Sequence, residues 1–452
     1  MVSQSAVVDH LSETELFERW SDRWEHFLDN FSAASSSATI SERLRDKVKS
    51  GNAERAIAGG HEGREILELL QNARDAIPGE TDGGRVYVGV YDEGVLVANT
   101  GHPFDMFDPD VEDAVTMIGE SSKGNSDQEI GHKGVGLKSI LATGDAFEIW
   151  TRHESATDET LRVRLSRSYV TTALLSSLGY DTSAFDLRGA VSNEAIQSLT
   201  TTSNADQRTE NLTQDAREGI GKLPLFDFPV PLTTASGADD PVADRASALI
   251  TGDVDEWYGD PFRTAVFVEY EDTEWRDILE EFDIPQPESS DRDSAGRAER
   301  LWSYLSKEAD GEEATSETLT PETLIQFGGI ETLLLERVDG TEQPSRERWD
   351  VDRAPGSVDS ETVRHETVTV AFEGTDVSFA DEQFDQFGFA DADVPTQLLV
   401  PQTGTERERL QEYPLYLLLS DREYTGRFAP VLSPWVLHSR DESEGSQSQQ
   451  PR

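Results

Sequence analysis

Two short segments about sixty residues apart limit what this chain can fold into more than any other part of it. Residues 68–76 read Glu-Leu-Leu-Gln-Asn-Ala-Arg-Asp-Ala, and residues 130–139 read Ile-Gly-His-Lys-Gly-Val-Gly-Leu-Lys-Ser. The first segment has the spacing of an amphipathic helix, and the second is a glycine-rich loop that leads into another helix. Any fold for this chain must therefore accommodate a helix with one polar side and a tight turn before a second helix.

The polar side of the first segment consists of three residues with chemistry of their own. At about 100° per residue, Glu68, Asn72 and Asp75 fall on one narrow arc of the helix. A carboxylate can orient and deprotonate a water, and a carboxamide oxygen is a hard ligand suited to magnesium already held by phosphates. Asp75 would fix that geometry through hydrogen bonds. The alternative is a stripe that merely faces solvent. The opposite arc should pack in the core through Ile66, Leu67, Leu69, Leu70, Ala73 and Ile77.

The glycine-rich loop has the composition of an anion-binding turn. Gly131, Gly134 and Gly136 allow the backbone to pass close to an anion, and a helix from about Leu137 would point its amide groups towards that anion. The loop is not a P-loop, because Leu137 stands where the lysine is required. Glycine clusters also form plain turns. Lysine usage favours phosphate binding here, because three of the seven lysines of the chain lie close together, namely Lys123, Lys133 and Lys138.

A strand followed by a turn lies between the two segments. It reads Val-Leu-Val-Ala-Asn-Thr-Gly over residues 95–101. A side-chain acceptor at the end of a strand can take a hydrogen bond from an adenine amino group, which Asn99 could do through its carbonyl oxygen. Local sequence equally fits an Asn99 that only begins a turn.

Composition excludes several classes of protein. The formal net charge is −50, and the acidic residues run through every segment, which suits a cytoplasm rich in salt and argues against broad non-specific contact with nucleic acid. The chain has no cysteine, so disulfides and thiol catalysis are excluded, and its eight histidines show no metal-ligand pairing. Neither a signal peptide nor an apolar run of membrane length is present. We therefore expect a cytoplasmic protein without a membrane segment.

The remaining pattern predicts elements and domains. Ser12 and Glu15 form a capping box before a helix that would bury Leu16, Phe17, Trp20, Trp24, Phe27 and Leu28. Further helices are expected from Thr39, over 61–77, over 273–284 and over 295–309. Strands are expected at 86–90, 95–98, 146–152, 161–165, 264–270, 331–337, 363–373, 397–401, 414–420 and 428–437. We expect an N-terminal helix and linker (1–38), a first α/β domain (39–270) with a polar insertion or mobile lid near 184–221, a second α+β domain (271–440) and a disordered tail (441–452).

Together these segments resemble the GHKL superfamily of ATPases, which includes the ninety-kilodalton heat-shock chaperones, MutL, type II topoisomerases and sensor histidine kinases. With Ile-Gly-Glu-Ser-Ser-Lys at 118–123, the chain is most similar to the sacsin-type branch. The resemblance is strong over 55–152 and weaker beyond. It implies a Bergerat-type α/β (α+β) two-layer sandwich, a mixed sheet with helices on one face. A smaller α+β transducer-like domain would follow.

The resemblance also implies roles for individual residues. Glu68 would be the general base, and Asn72 would be the Mg²⁺ ligand. Asn99 would take the place of the adenine-reading aspartate, with Gly101 close to the base and Thr264 behind it. The lid would contain Ser121, Ser122 and Lys123. The phosphate loop would contain Gly131, Lys133, Gly134, Val135, Gly136, Leu137 and Lys138.

The function implied is ATP binding with slow Mg²⁺-dependent hydrolysis, in which lid closure drives chaperone-like or mechanochemical work. The implied partners are ATP, a protein client and a second copy of the chain in a homodimer. One alternative is a nucleotide-gated interaction protein without significant turnover, and another is a subunit of a defence or DNA-processing system. A sensor kinase is not expected, because no helix pair carrying a histidine precedes the His61-Glu62 pair. A completing cation could come from Arg407, Arg409, Arg422, Arg427 or Arg440.

Overall fold

The computed structural model has an α+β fold with a large mixed sheet and many helices. It describes residues 11–32, 37–59, 65–77, 83–116, 144–152, 160–185, 187–201, 212–234, 240–286, 296–307, 319–339, 344–359, 363–375, 381–389, 396–402 and 416–419. The chain divides into two compact units. The first comprises 1–78, 86–302 and 336–344, and the second comprises 79–85, 303–335 and 345–452. The domain boundaries expected from the sequence stay a prediction.

Helices alternate with strands along the described part of the chain. The helices are α1 (Glu13–Ser32), α2 (Ser37–Gly59), α3 (Glu65–Ala76), α4 (Pro109–Thr116), α5 (Arg167–Ser177), α6 (Glu194–Thr201), α7 (Gln214–Ile220), α8 (Pro241–Thr251), α9 (Thr273–Glu281), α10 (Arg297–Leu305) and α11 (Pro321–Gln326). The first strands are β1 (Arg85–Tyr91), β2 (Gly94–Asn99), β3 (Ala146–Arg152), β4 (Thr160–Ser166), β5 (Val230–Leu232) and β6 (Thr264–Glu269). The later strands are β7 (Thr332–Val338), β8 (Ser345–Asp359), β9 (Val363–Gly374), β10 (Glu382–Phe389), β11 (Thr396–Pro401) and β12 (Tyr416–Leu419).

Helix α1 begins at the predicted capping box. The backbone N–H of Ser12 donates to Glu15 Oε2 at 2.8 Å, and the backbone N–H of Glu15 donates to Ser12 Oγ at 3.3 Å. The six apolar residues predicted to face the core are all buried. Trp24 also donates its indole N–H to the carbonyl of Pro229 and packs on the ring of Phe228. The N-terminal helix is thus part of the core of the first unit.

In the first unit the strands follow the order β1-β2-β6-β3-β4-β5, and each neighbouring pair is antiparallel. Within the second unit, the backbone N–H groups of Glu331 and Thr332 donate to the carbonyl of Gly84. Within the first unit, the Arg337 side chain donates to the carbonyl of Val90.

Register separates the side chains of this sheet into two unlike faces. On the apolar face, two rows across the sheet are uninterrupted: Val88, Val97, Val266, Ile149 and Val163, and next to them Val90, Val95, Val268, Phe147 and Leu165. The charged face carries Glu148, Arg162, Arg164 and Glu269, all buried. Arg164 lies 2.8 Å from Glu148 and 2.7 Å from Glu269. Pairing is what makes these charges tolerable in the interior.

Helices cover both faces, so the prediction of helices on one face is wrong. Helix α8 packs over β2, β6 and β3 on the charged face, where its N-cap Asp240 pairs with Arg162 at 3.2 Å. On the apolar face, Phe226 stacks on Phe147. Helix α2 is attached to the same segment, because its Glu54 accepts hydrogen bonds from the 225–226 backbone.

The polar region near 184–221 is predicted to be an insertion or mobile lid, and its described parts contain two helices. They form α6 and α7, which bury Ile196, Ala216 and Ile220 completely. Thr213 caps α7 by accepting from the backbone N–H of Ala216. Helix α7 packs against α2, and α6 packs against α1 and α5. Because Ser and Thr are frequent in this region, the few apolar residues on one side of each helix did not stand out in the sequence.

Strands β8 to β12 of the second unit form consecutive antiparallel pairs. The predicted strands at 331–337, 363–373, 397–401 and 414–420 are present, as are the helices predicted at 273–284 and 295–309. Strands β8 and β10 were not predicted. Strand β8 contains Pro355 and Gly356 at a register shift, and these residues read as a turn. The strand predicted at 428–437 lies outside the described residues.

Other boundaries also differ from prediction. Helix α2 begins at Ser37, two residues before the predicted start at Thr39. Helix α3 begins at Glu65, and residues 61–64 of the predicted helix lie outside the described part. Within the described ranges, none of the helices combines the length and apolar character that a membrane crossing requires.

Glu54 provides a test of how α2 is attached to the first unit. Its carboxylate is fully buried, accepts from the backbone N–H groups of Leu225 and Phe226 at 2.8 and 3.1 Å, and lies 3.5 Å from Arg167. Burial raises the pKa of Glu54, and Arg167 opposes that rise. We expect Glu54→Ala to lower the free energy of unfolding by about 3 kcal/mol, because it leaves buried donors and a cation unpaired.

Urea denaturation in molar KCl, followed by tryptophan fluorescence, would measure this loss. Glu42→Ala makes the same chemical change at an exposed position of the same helix and should alter stability by less than about 0.5 kcal/mol. Equal stability of the two variants would contradict the anchoring role of Glu54.

Candidate functional site

Helix α3 carries the first predicted group of site residues. Ile66, Leu69, Leu70, Ala73 and Ile77 are buried as predicted, whereas Leu67 is only half-buried and does not belong to the core. The three residues of the polar stripe are not exposed either. Each is of intermediate burial, and the Asp75 side chain is only 4% exposed. A stripe that merely faces solvent does not describe this helix.

Asn72 is the residue of the stripe with the clearest unmet bonding capacity. Among the described residues, its Nδ2 atom is buried and has no hydrogen-bond partner. Such a group costs free energy in the interior unless a ligand or water satisfies it. Asp75, one turn further along, is paired with Arg74 at 3.1 Å. The stripe thus combines a fixed carboxylate with an unsatisfied carboxamide.

The second group lies at the end of the apolar face. Antiparallel pairing places Asn99 of β2 directly opposite Thr264 of β6, and Thr264 opposite Thr151 of β3. These three residues, which we call the polar row, are 6%, 5% and 0% exposed. The two rows beside them are wholly apolar, so the polar row is a local exception on this face. The sequence predicted Asn99 and Thr264 as site residues but not Thr151. The one signal for Thr151 in the sequence is its position next to the end of β3.

Hydrogen bonds hold the polar row in place. The backbone carbonyl of Asn99 accepts from the N–H of Arg263 at 2.8 Å. The hydroxyl oxygen of Thr264 accepts from the backbone N–H of Phe104 at 2.7 Å, which fastens the turn after β2 to β6. The Nδ2 atom of Asn99 is buried without a partner in the described structure, like that of Asn72. Two carboxamides of the predicted site therefore lack the bonds that burial demands.

Gly101 joins the two groups. A Cβ atom at this position would collide with the carbonyl of Ala76, the last residue of α3. The next residue, His102, donates its backbone N–H to the same carbonyl at 2.6 Å. The end of α3 and the turn after β2 are therefore in direct backbone contact. The structure thus places the C-terminal end of α3, the helix that carries Glu68, Asn72 and Asp75, against the turn that follows Asn99 and is fastened by Thr264.

The remaining predicted residues lie outside the described part of the chain. These are Ser121, Ser122 and Lys123 of the predicted lid, and Gly131, Lys133, Gly134, Val135, Gly136, Leu137 and Lys138 of the predicted phosphate loop. The five arginines considered as a completing cation, at 407, 409, 422, 427 and 440, lie there too.

Sequence reasoning missed an anchor just before the predicted lid. Glu112 of α4 is fully buried and accepts from the side chains of Arg19, Trp20 and Arg23 of α1 at distances of 2.7 to 3.1 Å. Helix α4 ends at Thr116, immediately before the undescribed residues 117–143. Helix α4 is thus fixed to α1.

The residues present fit the chemistry of a Mg²⁺-nucleotide, although the described ranges hold no group of three metal-ligating side chains. Carboxylate and carboxamide oxygens on α3 are hard donors of the kind that complement Mg²⁺ bound chiefly by phosphates. The unpartnered carboxamides at Asn72 and Asn99 call for a polar ligand. Comparison with models of known protein families found no match, and a search among curated proteins found none either. The function has to be inferred from the residues and their geometry.

The contact at Gly101 generates a prediction about this region. Gly101→Ala forces a methyl group against the backbone of Ala76, which cannot move away as a flexible side chain could. We expect a loss of about 1–3 kcal/mol in the free energy of unfolding. Gly388→Ala is the matched control, because a Cβ there meets nothing within 4 Å, and it should be nearly neutral. Urea denaturation measures both, and a neutral Gly101→Ala would show that α3 and the turn are not in close contact.

Proposed function

We propose that this protein binds ATP with Mg²⁺ and hydrolyses it slowly. The observation that carries the proposal is the meeting of α3 with the polar row. A helix bearing Glu68, Asn72 and Asp75 and a strand end bearing Asn99 come together through the backbone contact at Gly101. Residues far apart in sequence, such as Asn99 and Thr264, become cross-strand neighbours there. Such a cluster is what an adenine nucleotide requires at its base and at its metal.

Each residue has a distinct task in this proposal. The carboxylate of Glu68 accepts a proton from the water that attacks the terminal phosphate. The carboxamide oxygen of Asn72 would hold Mg²⁺, which neutralises developing phosphate charge when bound. Asp75, held by Arg74, fixes the stripe from the next turn of the helix. The polar row receives the base.

The wider architecture is also part of the proposal. We assign the first unit to a Bergerat-type ATP-binding domain that differs from the expected form in having helices on both faces of its sheet. We assign the second unit to a transducer-like role, with residues 118–123 as lid and 131–138 as phosphate loop. Lid closure over ATP would drive chaperone-like or mechanochemical work on a protein client, with a second copy of the chain as the partner in a homodimer. The anchor at Glu112 supports this, because it fixes helix α4, which precedes the proposed lid in the sequence.

A nucleotide-gated interaction protein without significant turnover is the second candidate. The observation in its favour is Asn99, since a carboxamide stands where relatives of the resembled class carry an aspartate. Such a protein would serve as a partner subunit, for example in a defence or DNA-processing system. It differs from the first candidate in needing no general base.

A paired assay in molar potassium salt with Mg²⁺ tests both candidates. The wild-type protein should bind ATP with a dissociation constant between about 1 μM and 1 mM. Glu68→Ala should retain binding and lose hydrolysis by about 100-fold or more, because the proton acceptor is gone. Asn72→Ala should lose the Mg²⁺-dependent part of binding. Calorimetry reports binding, and phosphate release reports turnover.

Two controls separate chemistry from folding. Glu68→Gln keeps the size of the side chain and should behave like Glu68→Ala in hydrolysis. Glu42→Ala, exposed on α2, should leave both readouts unchanged. Absence of nucleotide binding by the wild-type protein would reject the proposed function, and hydrolysis that survives Glu68→Ala would reject only its mechanism. Binding without turnover by the wild-type protein would favour the second candidate.

A further inference from the structure

We infer that Asn99 makes the base site accept 6-oxo purine nucleotides, such as inosine triphosphate, about as well as ATP. The inference rests on the proposed function and specifies its substrate class. The feature behind it is the donor and acceptor content of the polar row. That content differs from what a carboxylate at position 99 would offer.

Asn99 brings both a donor and an acceptor into the row. Its side chain has one carbonyl oxygen and one NH₂ group, whereas an aspartate has acceptors only. The residue is 6% exposed, and within the described structure its buried Nδ2 has no partner. A buried donor of this kind should be satisfied by an acceptor atom on the ligand.

The neighbouring threonine reinforces the donor character. Thr264 lies opposite Asn99, and its hydroxyl oxygen already accepts the N–H of Phe104 at 2.7 Å. One hydroxyl can accept and donate at the same time, so Thr264 keeps its hydrogen for a further acceptor. The row therefore presents two donors and the Asn99 carbonyl oxygen as an acceptor.

Purines carry opposite patterns at position 6. Adenine has an amino donor at C6 beside the N1 acceptor, and a 6-oxo purine has a carbonyl acceptor at C6 beside an N1–H donor. A carboxamide matches either pattern, because rotating it by about 180° exchanges its oxygen and nitrogen. A carboxylate matches only the amino group, since a 6-oxo oxygen would face another acceptor. Asn99 thus removes a discrimination that aspartate would impose.

The structure leaves this rotation open while fixing the residue. The Asn99 backbone is held on both sides, by pairing with Val86 of β1 and with Thr264 of β6. No described group bonds the Nδ2 atom in its present orientation, so exchanging the two ends breaks no hydrogen bond at that atom. The position of the amide is set, and its orientation can follow the ligand.

The test is a comparison of ATP and inosine triphosphate on two forms of the full chain. Calorimetric titration with Mg²⁺ in molar potassium salt should give the wild-type protein dissociation constants for the two nucleotides within about fivefold of each other, because one good base contact is worth about 1–3 kcal/mol and both nucleotides make it. Asn99→Asp is nearly isosteric. This variant should bind ATP about as tightly as the wild-type protein does, and its affinity for inosine triphosphate should be about 10- to 100-fold lower.

Asn99→Ala is the second variant, and it should lower the affinities for ATP and for inosine triphosphate by a similar factor. Circular dichroism and thermal melting confirm that each variant is folded. Wild-type protein that binds ATP but rejects inosine triphosphate as strongly as Asn99→Asp does would overturn this inference and leave the proposed function standing. Wild-type protein that binds neither nucleotide would overturn both.

Discussion

The contact between the last turn of α3 and the turn after β2 is the constraint on which the candidate site depends. Only a residue without a side chain fits at Gly101, because the carbonyl of Ala76 occupies the space that a Cβ would need. This contact sets the distance between the helix that carries the acidic and amide groups and the strand end that carries Asn99. Without it, the two halves of the site would be separate surface features. One glycine therefore makes two local motifs into a single arrangement.

The two faces of the sheet in the first unit have different roles. The charged face contributes to stability, and the apolar face also carries the polar row that is proposed to bind the ligand. The apolar face is interrupted by polar side chains at one end only, in the polar row. The charged face buries Arg164 against Glu148 and Glu269, and burial raises the pKa of Glu269 to about 7 against the opposing effect of Arg164. A chain with a net charge of −50 thus also keeps carboxylates inside, where arginines compensate them. Among the described residues of this sheet, the polar row leaves the Asn99 amide nitrogen buried without a hydrogen-bond partner.

Local patterns predicted much of the first unit. The capping box of α1, the amphipathic helix α3 and strands β1, β2, β3, β4 and β6 follow from spacing and end signals alone. Tertiary contacts explain the failures. Helix α8 covers the charged face of the sheet, and helices α6 and α7 form in a stretch rich in Ser and Thr. Thr151 lies in the polar row because β3 pairs with β6, and no local sequence pattern specifies that pairing.

The alternation of the two faces has a consequence for folding fidelity. Strands β2, β6 and β3 point successive side chains to opposite faces, so a slip of β6 by one residue would place Thr264 on the charged face. The same slip would point the side chains of Glu269 and Phe267 to the apolar face, among its apolar rows. A misregistered sheet would therefore lose its core and its base site in a single step. A chain in this state would be recognisable as misfolded by its exposed apolar surface, so a folded but site-deficient register is not a stable alternative.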